Sequence, residues 1–493
     1  MNNKRNLLSA ILLQFVTILS GLIIPRIIIS NFGSEINGII SSATQFLSFI
    51  SLAEGGLGAV VLAELYLPLE KKNTEKIISI LNACRKFFAH IGIIFFVYTC
   101  VISLAFGLSL RNNYRFAFIS TLILIISFST LAQYLFAVTN RLILQASQRV
   151  YIVNFVSSIS IVTNLFIALI VIHFFPSIHL LKCGTGLAFL IQPFVFNHII
   201  EKEYRTKLSE VKKATYRLKD RWSGFGQNLA HFICLNTDII ILTLFVGLNE
   251  VSVYSIYMLA INALRQIIGA ADESYQSALG KYYAEGNIPH LKYEFKRFVT
   301  LNNCVVLIIF FTCLHLINPF VQLYTQGVND TYYYAPFFSE VMVIANMFFC
   351  IREPYRRLVM STGKFKETNF GSYFEAILNI AISLTLVRSL GLAGVAIGSL
   401  IAIIYRLFYF CIFLQKNVIF LEVKDNFVPF IFILILCVVN LLIFHLCSLT
   451  ITSFISFIIS GILITLVESF LVGVIYYIPL ILNNKNIFVE KWK

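Results

Sequence analysis

Charge is what this sequence is short of: 13% of its 493 residues are Asp, Glu, Lys or Arg, against about 25% in a soluble domain. Water cannot be its main solvent. Catalytic signatures are missing too. There is no Walker A string, no HExxH, no GxSxG, and no carboxylate pair on a sizeable external loop, which sets aside phosphate-loop, zinc-hydrolase and serine-hydrolase chemistry. The ten cysteines stand singly, mostly inside apolar runs (Cys100, Cys234, Cys313, Cys437), with neither a CxxC pair nor metal-ligand spacing. They read as small buried hydrophobes. No enzyme activity, metal or cofactor is expected.

What the chain has instead is length of apolar run, with hydrophobic residues making up 58% of the whole. Stretches near the roughly 20 residues needed to cross a bilayer recur from end to end. The expected spans are Leu7–Ile29, Gly38–Ala63, Phe87–Leu108, Phe116–Val138, Ile152–Phe174 and Gly184–Ile200. A second set follows at Phe225–Val246, Val251–Ala271, Leu301–Leu323, Ala335–Cys350, Phe370–Val387 and Leu392–Leu414. Phe427–Leu446 and Ile451–Leu480 close the chain. The fold class is therefore an all-α polytopic membrane protein of about fourteen transmembrane helices. Residues 1–200 should form one six-helix bundle, 201–221 a basic cytoplasmic linker, 222–414 a second six-helix bundle, and 415–493 two additional helices and a tail. Met1–Arg5 followed by Asn6–Ser30 has the charged head of a signal peptide, but its apolar part is too long and lacks a small-residue cleavage site. It reads as a retained first helix.

A net charge of +14 would point to nucleic acid in a soluble protein. Here the cations gather in alternate connections, as the positive-inside rule requires. The N-terminus (Lys4, Arg5), Lys71–Lys76, Arg141–Arg149, the linker from Lys202 to Arg221, Lys281–Arg297, Arg356–Lys366, Lys416 with Lys424, and the tail form the cytoplasmic set. Connections near Gly33, Arg111, Ser177, Asn249, Asp330, Arg388 and Ser448 form the outer set. Both termini should be cytoplasmic, and no nucleic-acid partner is expected.

The two sets of six spans also look like copies. Asn154-Phe155-Val156-Ser157 followed by Asn164 matches Asn369-Phe370-Gly371-Ser372 followed by Asn379, and Gly33 in FGSEINGII matches Gly247 in VGLNEVSVYSI. Both matches fall near one offset, as expected of a duplicated transporter with parallel halves related by an axis along the membrane normal.

Polar residues at helical spacing inside apolar spans must face protein or a water-filled cavity. The second span carries Asn37, Ser41, Thr44, Ser48, Ser51 and Glu54; the seventh Gln227, His231 and Asp238. The eighth carries Asn262, Arg265, Asp272 and Gln276; the eleventh Asn369, Ser372, Glu375 and Asn379. Ser, Thr and Asn in such places often only hold helices together, at roughly 0.6 kcal/mol per hydrogen bond. Charges are harder to dismiss, since Arg or Asp at mid-membrane costs about 2.5–3.5 kcal/mol. Arg26, near the outer end of the first span, can snorkel instead. For His231, an interior hydrogen-bonded role is commoner than proton transfer.

Leu52-Ala53-Glu54-Gly55-Gly56-Leu57-Gly58, the turn with Gly33 and Gly38, Asn236-Thr237-Asp238-Ile239-Ile240 leading to Gly247 and Tyr254-Ser255, and the basic segment Arg141–Arg149 together resemble the polysaccharide transporters (Wzx-type O-antigen flippases) of the multidrug/oligosaccharidyl-lipid/polysaccharide (MOP) flippase superfamily. The resemblance covers nearly the whole chain. It implies two pseudo-symmetric six-helix bundles in a V around a central cavity, two extra C-terminal helices, and a bacterial inner membrane. It further implies an undecaprenyl-pyrophosphate-linked oligosaccharide as substrate, moved to the outer leaflet for O-antigen, capsule or exopolysaccharide synthesis, with a polymerase and glycosyltransferases as partners. On that reading Arg26, Arg265, Asn262, Gln227, Asn37 and Gln276 would line the cavity. Asp238, Glu54, Asp272, Glu375 and His231 would be ion-coupling or gating candidates, with H+ or Na+ as the coupling ion. A lipid II flippase and a cation antiporter of the multidrug and toxin extrusion (MATE) type are the alternatives; the latter usually stops at twelve helices.

Overall fold

Helix follows helix along the computed structural model, which describes residues 2–208, 225–364, 366–419, 423–446 and 451–483; no strand occurs among them. Eleven helices in the described part are long and apolar enough to cross a membrane. Their outer faces carry large bare hydrophobics such as Ile455, Leu466 and Phe470, the surface a lipid-facing helix needs. The chain divides into two compact units, Met1–Leu229 and Ala230–Lys493. The expected basic linker lies mostly outside the described residues.

In unit 1, α1 (Asn2–Phe32) is followed by α2 (Ser34–Leu47), which runs through a 3-10 turn into α3 (Ser51–Glu70). Next come α4 (Thr74–Ser109) and α5 (Phe116–Ala132), the latter joined through a π turn at Gln133–Ala137 to α6 (Val138–Ala146). α7 (Val150–Phe174) and α8 (Ile178–Leu208) complete the unit. Its core forms where Val61, Leu81, Phe88, Leu142, Val153 and Phe196 meet. Polar pairs inside it are mutual: Ser103 Oγ donates to the Ser120 carbonyl at 3.0 Å and Ser120 Oγ to the Ser103 carbonyl at 3.2 Å, which fastens α4 to α5.

Unit 2 takes most of α9 (Phe225–Phe245), then α10 (Leu248–Ala284), α11 (Ile288–Tyr324), α12 (Pro336–Ser361), α13 (Asn369–Leu390) and α14 (Leu392–Asn417). α15 (Val423–Leu446) and α16 (Phe454–Val472) follow, and α16 continues through a π turn into α17 (Ile478–Asn483). The added helices are fastened to α11 by buried polar contacts. His315 Nε2 lies 3.1 Å from Asn440 Oδ1 and 3.7 Å from Glu468 Oε1, and Asn303 donates to the Tyr476 hydroxyl at 2.8 Å.

The glycines matched between the halves do the same work. Gly33 (φ 87°) precedes α2 and Gly247 (φ 149°) precedes α10, each letting the chain reverse in a backbone region that side chains rarely adopt. Each new helix then carries an acid in its first turn, Glu35 and Glu250, where the helix dipole favours one. The repeated asparagines fasten helices: Asn154 on α7 donates to Ser9 on α1, and Asn379 on α13, the counterpart of Asn164, donates to Ser399 on α14.

Two basic stretches expected as connections are mostly helical. α12 runs on through Arg356 and Arg357 to Ser361, and between α10 and α11 only residues 285–287 are not helical. At 1.5 Å per residue, the 37 residues of α11 reach about 55 Å, well past a hydrocarbon core of about 30 Å. Such helices keep their hydrogen bonding while their charged ends leave the lipid.

α13 and α14 pack closely through Gly394 and Gly398, a small-xxx-small spacing. A Cβ on Gly398 would stand 2.2 Å from Ser383 Oγ and 2.9 Å from the Ser383 backbone nitrogen. Gly398→Val should therefore push the two helices apart and cost about 1–3 kcal/mol. The check is thermal melting of the helical circular-dichroism signal in detergent; an unchanged midpoint would mean the helices do not need this contact.

Candidate functional site

In unit 2, α12 carries three arginines and two glutamates. Phe349, Arg352, Glu353, Arg356 and Arg357 recur at three- and four-residue steps, so they share one face of the helix. Phe349 is the hub at one end: the Arg265 guanidinium from α10 lies 3.8 Å from its ring centroid and that of Arg352 lies 4.6 Å away. Arg265, half-buried, also donates to Asn346 Oδ1 at 3.3 Å. The aromatic face thus holds a cation without neutralising it.

Deeper in, Glu375 on α13 joins two arginines. Arg352 Nη1 donates to its Oε1, and Arg406 Nε from α14 stands 3.5 Å from its Oε2. Arg406 is buried at 2% exposure, yet its other donors are used, by the Thr368 carbonyl at 3.0 Å and Ser372 Oγ at 2.6 Å. It also lies over the Phe410 ring at 4.0 Å. Gly371 makes room for it, since a Cβ there would fall 2.2 Å from Arg406 Nη1. Toward the end of α12, Glu353 is gripped by Arg356 through Nε at 3.0 and 2.9 Å and Nη2 at 2.7 Å. Arg357 donates to Gln276 Oε1 on α10 at 2.9 Å. Among the described residues, five arginines (Arg265, Arg352, Arg356, Arg357, Arg406) thus face two glutamates (Glu353, Glu375). Such a cluster favours an anion.

A second polar chain starts at Asp238 on α9, which is buried. Tyr254 donates to its Oδ2 at 2.9 Å, Ser399 Oγ lies 2.9 Å from both carboxylate oxygens, and Asn379 donates to Ser399 Oγ at 2.8 Å. Among the described residues, hydroxyl groups rather than a cation hold the carboxylate, with the Asn379 amide behind Ser399. Asn379 is one turn along α13 from Glu375, so the stripe of Ser372, Glu375 and Asn379 runs alongside both networks.

The site residues expected from the sequence fare unequally. Arg265 and Gln276 join the arginine cluster, and Asp238 and Glu375 are buried and partnered. Glu375 is a counter-ion between two arginines rather than a group facing a lumen, because α14 covers it. Asn262 is exposed on α10. In unit 1, Arg26 is half-buried on α1 and Asn37 is buried on α2. The side chains of Glu54, Gln227, His231 and Asp272 lie outside the described residues. Sequence reasoning missed Arg352, Glu353, Arg406, and the His315–Asn440–Glu468 group. Arg406 gave a usable signal, a lone charge within the apolar run from Leu400 to Leu414. No group of His, Cys, Asp or Glu able to hold a metal ion occurs among the described residues.

The fold these helices form is that of the MOP-superfamily transporters. A structure described as the lipid II flippase MurJ in an inward closed conformation aligns with a TM-score of 0.66 at 16% identity, covering 96% of this chain and 100% of that one. An inward-facing multidrug resistance MATE transporter gives 0.61 at 15% identity, covering 82% and 96%. A MOP-superfamily transporter from Pyrococcus furiosus, described as having a binding pocket of reverse polarity that suggests a different function, gives 0.61 at 13%, covering 84% and 96%. No family model and no curated protein matches the chain.

Proposed function

We propose that this chain is a flippase of the bacterial inner membrane, with both termini cytoplasmic, that carries undecaprenyl-pyrophosphate-linked oligosaccharide to the outer leaflet by alternating access. The observation that carries this reading is the excess of arginine around Phe349 among the described residues, with Arg265 half-buried and held by the Asn346 amide and the Phe349 ring. A pyrophosphate needs several cations and planar donors at once, which guanidinium supplies better than ammonium. The prenyl tail has no need of a polar site and stays in lipid. Asn262 and Gln276 supply further polar contacts to the head group, and Asp238 is the candidate for H+ or Na+ coupling. The extended product would pass to a polysaccharide polymerase, and glycosyltransferases would supply the substrate.

A MATE-type cation antiporter would be poorly served by five clustered arginines. Lipid II flipping is the second reading, favoured by the MurJ alignment spanning almost the whole of both chains.

The test is movement of a fluorescent undecaprenyl-pyrophosphate oligosaccharide across proteoliposomes, with labelled lipid II in parallel. Arg265→Ala should slow transport about tenfold, the loss of one charge-assisted hydrogen-bonding group, at matched protein levels. Movement of lipid II alone would select the second reading, and movement of neither would reject both.

A further inference from the structure

Between α11 and α12 the chain makes a short loop that carries Tyr332, Tyr333 and Tyr334 in a row. The last Lys or Arg before this loop is Arg297 and the next is Arg352, so the positive-inside rule puts it on the outer side. The loop and the end of α11 border a largely open cavity of about 390 Å³, lined by Gln322, Thr325, Val328, Asn329, Thr331 and the three tyrosines. That volume lies in the usual range for small-molecule sites.

The cavity is built rather than incidental. Tyr333 is buried and anchors the loop: its hydroxyl lies 3.1 Å from Ser252 Oγ, and its carbonyl lies 3.0 Å from the Tyr257 hydroxyl. Tyr257 in turn meets Asn318 Oδ1 at 2.8 Å and accepts from the Ala335 backbone N–H at 3.1 Å. With Tyr333 held down, Tyr332 and Tyr334 are left standing outward, 78% and 39% exposed. Their rings sit edge to face with centroids 6.2 Å apart. Thr331 Oγ1 is buried without a hydrogen-bond partner among the described residues, an uncompensated group of the kind a ligand hydroxyl satisfies.

The lining decides the ligand class. It holds no Lys, Arg, Asp or Glu, so no charged side chain in it would hold a phosphate or pair with a cation. Amide and hydroxyl side chains that both donate and accept, beside rigid amphipathic tyrosine faces, match a polyol whose ring has an apolar face. We propose that this loop is a neutral-sugar subsite on the outer side of unit 2. It rests on the flippase reading for its purpose: the start of α12 lies sixteen residues from Arg352, about 24 Å along the helix, so the subsite meets the glycan rather than the pyrophosphate and receives it at the outer surface.

The experiment is saturation-transfer NMR on the full chain in detergent, with free chitobiose, lactose and maltotriose as probes that carry neither phosphate nor lipid. At least one should receive saturation, and Tyr332→Ala combined with Tyr334→Ala should weaken that signal about fivefold or more. Tyr332→Phe with Tyr334→Phe should keep most of it, because the stacking faces remain. Both rings are exposed, so these variants should fold, which the circular-dichroism melt checks. No transfer to any probe, or transfer that the alanine pair leaves intact, overturns the subsite. Sugar binding that persists in a native chain moving no lipid-linked glycan would reject the proposed function and leave the subsite standing.

Discussion

Glu375→Gln is expected to destabilise unit 2 by about 3–5 kcal/mol, the range found when one partner of a buried ion pair is removed. The carboxylate sits between Arg352 and Arg406, both about 2% exposed, and in a low-dielectric interior neither can recover its lost counter-charge from water. Arg406 keeps its bonds to Thr368 and Ser372, and Arg352 keeps Glu353 at 3.7 Å. The loss should therefore be partial unfolding of the α12–α14 packing, seen as a lower melting midpoint and earlier protease cleavage near Ser361. The converse variant sharpens the test. Changing Arg352 and Arg406 to Met together with Glu375→Leu removes every charge at once, and should recover much of the stability, since apolar replacements of buried ion pairs are often neutral or better. Native-like melting of Glu375→Gln would show that the arginines are hydrated and that the triad does not hold the helices.

This triad also marks where sequence reading stops. Helix positions were legible because crossing a bilayer demands long apolar runs, and each expected span coincides with a helical stretch. Gly33 and Gly247 could be matched by eye because a reversal between helices needs a glycine in both halves. Asp238, Glu375 and Arg265 were legible as costly charges in apolar surroundings. Their partners were not, because a partner is set by helix packing across many residues of sequence: Ser399 is far along the chain from Asp238, and Arg406 from Glu375. Arg352 and Glu353 were hidden differently. They adjoin the basic stretch from Arg356 to Lys366, where a rule that counts loop cations assigns charge to solvent. Their three- and four-residue spacing with Phe349 and Arg356 held the contrary signal.

Asp238 offers the functional counterpart of the Glu375 experiment. Among the described residues its carboxylate accepts from Tyr254 and Ser399, so hydroxyl groups rather than a cation hold its charge there. A group so placed can exchange its charge for a bound proton or Na+ without breaking an ion pair, which is what coupling to a gradient requires. Asp238→Asn keeps a carbonyl oxygen for Tyr254 and Ser399, and should leave the melting midpoint near the native value. Asp238→Ala strands both hydroxyls and should cost about 1–3 kcal/mol. Gradient-driven transport in proteoliposomes should fall about a hundredfold in both, roughly 2.7 kcal/mol in the barrier. The pairing of outcomes carries the argument, because stability separates the two variants while transport does not. If Asp238→Asn still moves lipid-linked oligosaccharide with the same dependence on a pH or Na+ gradient, Asp238 is a helix-fastening residue, and the coupling ion, if there is one, binds elsewhere.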